Sequence, residues 1–183
     1  MAVVTFAAID IGSYEVSMKI FELAKKNTFR ELNYVRHPLE WGKSAYDTGM
    51  HDMKMVDAVC EILHDFKKIM KEFGVSEYRA CGTSAFREFH KPMIVIEQIY
   101  QRTGIMIEVL SNAEQHFLGY KSIAAIETEF KKMIQKETAI LDVGGGNLQV
   151  SFFDKDALVS TQSLKMGSLR IRESLKELKK QFA

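Results

Sequence analysis

The stretch AAIDIGSYEVSMKIF, residues 7–21, returns in altered form as AILDVGGGNLQVSFF, residues 139–153. Both carry an apolar strand, an Asp, one apolar residue, a glycine turn and an outgoing strand. An internal repeat fixes architecture before any single element does. Two such hairpins, each leading a three-stranded unit and then a helix, imply two related lobes facing across a cleft.

The rest of the pattern supports an α/β chain. Val3 to Ile9 is a short apolar run suited to a buried strand, and Val16, Met18 and Ile20 alternate along the next. Lys25-Lys26-Asn27 reads as a hairpin turn before a strand from Phe29 to Val35, and His37 to Thr48 reads as irregular. Met53, Val56, Cys60, Leu63, Ile69 and Phe73 then recur at helical spacing, stopped by Gly74. A strand from Tyr78 to Gly82 leads to Thr83-Ser84, which can cap a turn holding Arg87, and Pro92 opens a helix that Gly104 ends. After a strand from Ile105 to Leu110, Ser111 or Asn112 caps a helix running to about Lys136, with Phe117, Ile123, Ala124, Phe130 and Ile134 near one face. Strands then cover residues 138–141, 148–153 and 157–163, with Asp154-Lys155-Asp156 as a turn. An amphipathic helix carrying Ile171, Leu175, Leu178 and Phe182 follows. The expected order is βββαβαβα for a complete first lobe, residues 1–127, and βββα for a partial second lobe, residues 128–183.

Composition narrows the function classes. With 25 Lys+Arg against 24 Asp+Glu the net charge is +1, so binding nucleic acid by bulk charge is not expected. Hydrophobic residues make up 46%, enough for a core, yet no stretch reaches the roughly 20 apolar residues of a membrane span. The N-terminus lacks the basic region of a signal peptide. Cys60 and Cys81 sit in apolar patterns without metal or disulfide spacing, which suits two buried free thiols in a reducing cytoplasm.

The hairpin turns have chemistry of their own. Gly12, Gly144, Gly145 and Gly146 permit close backbone approach and positive φ, and successive N–H groups in such turns cradle anionic oxygens. Asp10 and Asp142 precede the turns; a carboxylate repels phosphate but can hold a hydrated Mg²⁺ that bridges to it. One Asp-x-Gly alone also serves ordinary tight turns; two in matching frames favour a clamp for a polyphosphate and its metal. No Gly-Lys-Ser/Thr follows either strand, so this is no Walker loop. A strand rather than a helix follows the glycines, so it is no dinucleotide fingerprint.

The hairpins, with CGTSAFREF, IEVLSNAEQHFLGY and SLKMGSLRIRES, resemble the exopolyphosphatase/guanosine pentaphosphate phosphatase family. That family lies within the ribonuclease H-like, actin-like ATPase fold. The resemblance implies a phosphoanhydride hydrolase binding polyphosphate or a phosphorylated guanosine nucleotide with Mg²⁺. Asp10 and Asp142 match its metal-site aspartates. Gly12-Ser13 and Gly144 to Asn147 match its phosphate turns. Arg87 matches its phosphate-binding arginine, the alternative for that side chain being a surface salt bridge.

Departures accompany the match. The family's paired acidic residues fall at Glu114 and Gln115, with Gln115 at the position of the catalytic base. An amide does not accept a proton at neutral pH. A second family glutamate is Gln149, and Tyr14-Glu15 brings bulk and negative charge to the first turn. His116 reads as a partly exposed helix residue and His64 as a packed one. The second lobe stops early, so the chain reads as a fragment or as a member needing a partner over its unfinished sheet, a homodimer among the arrangements. Two functions stay open, an active phosphoanhydride hydrolase and a catalytically impaired binding protein. A sugar- or acid-kinase relative is disfavoured by the Arg87 and Glu114 motifs.

Overall fold

The computed structural model describes residues 4–24, 28–126 and 129–182. The chain divides into two compact units, Met1–Val109 and Leu110–Ala183.

In the first unit, β1 (Val4–Ile11), β2 (Glu15–Ala24), β3 (Thr28–Pro38), β4 (Glu77–Gly82) and β5 (Ile107–Val109) form one sheet ordered β3-β2-β1-β4-β5. The β1–β2 and β2–β3 pairs are antiparallel, whereas β1–β4 and β4–β5 are parallel. Period-two alternation sends Ala7, Ile9 and Ile11 of β1 and Val16, Met18 and Ile20 of β2 into the core. Asp10 falls on the other face of its strand. The expected Lys25-Lys26-Asn27 turn lies outside the described residues.

Helix α1 (Gly42–Thr48) occupies a stretch expected to be irregular. Pro38, Trp41 and Gly42 read as loop punctuation. Trp41 is instead buried against Phe86 and Phe89, with ring centroids 4.6 and 5.1 Å away, and that packing fixes the helix start. Helix α2 (Met53–Glu72) has Asp52 as N-cap, its carboxylate accepting from the Lys54 N–H at 3.0 Å, and ends beside Gly74 at φ 61°. Its inner face of Val56, Val59, Leu63 and Phe66 joins Val95, Ile96 and Ile99 of α4 (Pro92–Thr103) over the sheet. Truncating Phe66 to Ala would cost about 3–5 kcal/mol. Between β4 and α4 lies the short α3 (Ser84–Glu88), with Thr83 at the N-cap position but making no side-chain cap. His64, expected to pack, is exposed on the outer face of α2, and Cys81 is only half-buried whereas Cys60 is buried.

The second unit contains α5 (Asn112–Ile126), α6 (Phe130–Ile134), α7 (Ser168–Gln181) and the antiparallel sheet β6 (Thr138–Val143), β7 (Leu148–Asp154) and β8 (Ala157–Leu164), ordered β6-β7-β8. The long helix expected to reach Lys136 is thus two helices. The division between units falls at Val109/Leu110 rather than at 127/128 because α5 packs with the second sheet. Tyr120 stacks edge-on to Phe153 at 5.2 Å, and its hydroxyl meets Ser151. Lys155 and Asp156, at φ 48° and 64°, make the two-residue turn between β7 and β8.

Of the two expected apolar faces, Phe130 is buried and most of the rest is exposed. Phe117 and Ile123 of α5 face solvent, as do Ile171, Leu175 and Leu178 of α7, whose buried anchor is Leu169.

Candidate functional site

The two hairpin turns close in the same way. The Gly12 N–H donates to the Glu15 carbonyl at 2.9 Å, and the Gly144 N–H donates to the Asn147 carbonyl at 2.9 Å. Asp10 pairs across its hairpin with Ser17, and Asp142 with Gln149, so each Asp sits two residues before its closing glycine. The described glycines at positive φ are Gly49, Gly74 and Gly104, which end helices. The positive φ expected of the turn glycines is therefore absent, and close approach is what those positions supply.

In the first unit, that approach brings three hydroxyls together. The Gly42 N–H donates to the Ser13 carbonyl at 2.9 Å, and a Cβ on Gly42 would stand 2.6 Å from Ser13 Cβ. Ser13 Oγ lies 2.6 Å from Ser84 Oγ, the Tyr46 hydroxyl donates to Ser13 Oγ, and Tyr46 and Ser84 are 2.9 Å apart. Arg87, one turn along α3 from Ser84, is half-buried. Burial lowers its guanidinium pKa below the ordinary arginine value, countered by Tyr46 and then Glu88. The sequence pattern singles out Ser13 and Arg87 but not Tyr46, which lies where no helical period is visible.

Asp10 is exposed to solvent, yet neighbouring protein still crowds its carboxyl. Burial, and then the charge of Glu15, push its carboxyl up to about 6. Glu15 is itself 3.8 Å from Arg36. The negative charge expected beside this turn is therefore felt at Asp10.

In the second unit, the glycine turn is held from behind by α7. The Ser168 N–H donates to the Gly144 carbonyl at 2.9 Å, and the Leu169 and Arg170 N–H groups donate to that of Gly145 at 2.9 and 3.2 Å. The Gly146 carbonyl accepts from the Gly167 N–H at 3.2 Å and from Arg170 Nε at 3.1 Å. Because N–H and C=O point in opposite directions across a trans peptide, the N–H groups of Gly145, Gly146 and Asn147 are turned away from α7. Gly167 allows this contact: a Cβ there would overlap Asn147 N and Gly145 C and O. Gly167 and Arg170 stand inside SLKMGSLRIRES, yet their part in the turn needs the folded contact to be seen.

Next to the turn, a cavity of ≈ 270 Å³ is lined by His116, Tyr120, Asp142, Val143, Gln149 and Ser151 among others. Gln149 is 4% exposed, and its Nε2 reaches Thr161 Oγ1 at 2.9 Å and the Tyr120 hydroxyl at 3.2 Å. Its Oε1 and the Asn147 Oδ1 are buried acceptors without a partner among the described residues. His116, read as a partly exposed helix residue, thus faces a cavity shared with Asp142.

Glu114 and Gln115 lie in the first turn of α5. The Glu114 carboxylate accepts from the Ser111 N–H at 2.9 Å, while Ser111 Oγ accepts from the Glu114 N–H at 3.2 Å. This is a capping box, and the Ser-x-x-Glu spacing that signals it stands in the sequence. Gln115 is half-buried.

Metal fit follows from the donor set. No cluster of three or more His, Cys, Asp or Glu among the described residues could hold an ion by itself. Mg²⁺ does not need one, since it keeps several waters and takes one or two carboxylates plus phosphate oxygens. Asp10, with its charge disfavoured by its surroundings, suits such an ion. So does Asp142 opposite Gln149, whose orphaned amide oxygen can accept from metal-bound water.

Similarity to known proteins agrees with this geometry. A profile of the Ppx/GppA phosphatase family matches residues 37–179. The chain is 26% identical to a bifunctional 3-dehydroquinate synthase/phosphatase of Fusobacterium nucleatum, over 91% of this chain and 26% of that protein. It is 22% identical to exopolyphosphatase 1 of Mycobacterium leprae, over 89% and 47%. The crystal structure of an exopolyphosphatase from Cytophaga hutchinsonii superposes with a TM-score of 0.81 at 22% identity, covering 93% of this chain and 53% of that one. The Aquifex aeolicus Ppx/GppA structure gives 0.73 at 22%, covering 94% and 55%. These structures establish the actin-like ATPase fold. The chain belongs to the Ppx/GppA phosphatase family. It spans about half the length, or less, of the relatives it matches.

Proposed function

We propose that this chain supplies the phosphate-binding portion of a Mg²⁺-dependent phosphoanhydride hydrolase acting on polyphosphate or guanosine pentaphosphate. The observation that supports it best is the pair of identically closed turns, one whose Ser13 meets Ser84 and Tyr46 and one with N–H groups turned away from α7. In this reading the turn N–H groups and Ser13 take phosphate oxygens, and the Arg87 fork takes two more. Asp10 and Asp142 are the residues that would hold Mg²⁺, which when bound neutralises phosphate charge. Positioning and charge neutralisation carry most of phosphoryl-transfer catalysis. Two free thiols suit a cytoplasmic setting, and no described helix is long and apolar enough to cross a membrane.

Water activation is the weak part. Gln115 cannot take a proton, Gln149 is engaged with hydroxyls, and Glu114 is committed to its cap. These favour a second reading, slow turnover with retained binding. Phosphate release from polyphosphate and guanosine pentaphosphate, measured for the protein containing this chain, decides between them. Turnover typical of hydrolases supports the first reading, and tight binding with little release supports the second. Failure to bind either substrate overturns both.

A further inference from the structure

Gly42 and Tyr46 are four residues apart on α1 and share a helix face. Because Gly42 is pressed against Ser13, that spacing brings the Tyr46 hydroxyl onto Ser13 Oγ and within 2.9 Å of Ser84 Oγ. Ser13 and Ser84 are 4% and 8% exposed, so these contacts replace water rather than decorate a surface.

Each hydroxyl has one donor hydrogen and can accept twice. A phosphate dianion only accepts, so it must draw a donor out of this ring. We propose that Tyr46 is a positioning residue for phosphate, its hydroxyl linking Ser84 to Ser13 so that the Ser13 O–H is delivered to a bound phosphate oxygen beside Arg87. The rearrangement breaks the 2.6 Å Ser13–Ser84 contact. Ser84 then donates to Tyr46, Tyr46 to Ser13, and Ser13 to phosphate, leaving no donor idle. Chains of this kind strengthen each bond by about 10–30%. Without the Tyr46 hydroxyl the chain shortens to one in which Ser84 donates directly to Ser13, so less polarisation reaches the Ser13 O–H that serves phosphate. Ser84 and Ser13 are 71 residues apart in the chain, and Tyr46 joins them from a third element. The inference rests on reading the Gly12-Ser13 turn as a phosphate site.

The test is calorimetric titration of tripolyphosphate into the protein containing this chain, wild type and variants, with melting temperatures recorded alongside. Tyr46→Phe should weaken binding about tenfold without lowering the melting temperature. Ser13→Ala should do about the same, and the double variant should bind within about twofold of Ser13→Ala, since Tyr46 acts through Ser13. Wild-type affinity in Tyr46→Phe, or losses that multiply in the double variant, would overturn the proposal. If Tyr46→Phe melts early, Ser84→Ala decides: a loss of about threefold supports the relay, and unchanged affinity overturns it. Absence of binding by the wild type overturns the phosphate-site reading as well. Weak binding by Arg87→Ala alone, with Tyr46→Phe unaffected, overturns only the role of Tyr46.

Discussion

Gly12 and Gly144 occupy equivalent places in two hairpins that are 132 residues apart: each N–H donates to the carbonyl three residues on, at 2.9 Å in both. Each has an Asp two residues before it on the incoming strand. Their surroundings differ. The first turn is backed by Ser13, Tyr46 and Ser84, whereas the second is backed by the start of α7.

Gly167→Ala tests that second backing. The added Cβ meets backbone atoms of Gly145 and Asn147, which cannot swing aside as a side chain would. A loss of about 1–3 kcal/mol in chemical denaturation is expected, in the range of overpacked sites. Hydrogen exchange should rise at the Ser168 and Leu169 amides, which lose their carbonyl partners. Unchanged stability and exchange would mean that α7 does not hold the turn.

Glu114 and Gln115 should separate cleanly. Glu114→Ala removes half of a capping box and should cost about 1 kcal/mol, while Glu114→Gln keeps most of the cap. Gln115→Glu should leave stability nearly unchanged. Phosphate release by the full protein should then rise, toward the hundred- to ten-thousand-fold that general-base help is typically worth, about 3–5 kcal/mol of barrier. Release that is unaffected by both Gln115→Glu and Gln115→Ala would point to another group, with His116 at the Asp142 cavity the first to mutate.

Asp10 gives the fold a pH dependence. Its carboxyl is raised from 3.8 to about 6 by burial and by Glu15, so folding favours the protonated form. Below pH 3.8 both states are protonated and the residue carries no penalty. Native stability then declines as pH rises through about 6, and above that the loss is complete. Asp10→Asn should therefore match wild type at low pH and exceed it above this window. The difference should be about 1 kcal/mol, the carboxylate's contact with solvent screening the rest. Mg²⁺ binding should pull the Asp10 titration, followed by carbon NMR, below its metal-free position. An unmoved titration at saturating Mg²⁺ would count against Asp10 as a ligand.

Arg87→Ala should weaken polyphosphate binding by about ten- to a hundredfold, the value of a charge-assisted pair. Arg87→Lys should fall between, because lysine keeps the charge and loses the planar fork. Equal affinity for all three proteins in an equilibrium titration would return Arg87 to a structural role.

The repeat, the alternation of Val16, Met18 and Ile20, the Asp52 cap, the Gly74 and Gly104 stops and the Asp154 to Asp156 turn are legible in the chain itself. They are set by side-chain period and by local backbone chemistry, which act over a few residues. So is the family membership, carried by motifs in order. Tertiary packing alone determined the rest. It made a helix of residues 42–48 by burying Trp41, and it set Tyr46 on Ser13, 33 residues away. It moved α5 into the second unit through Tyr120, and it docked the start of α7 on Gly144 to Gly146. Such contacts join segments far apart in sequence, and their free energy exists only once both surfaces are formed. No window of residues read alone contains it.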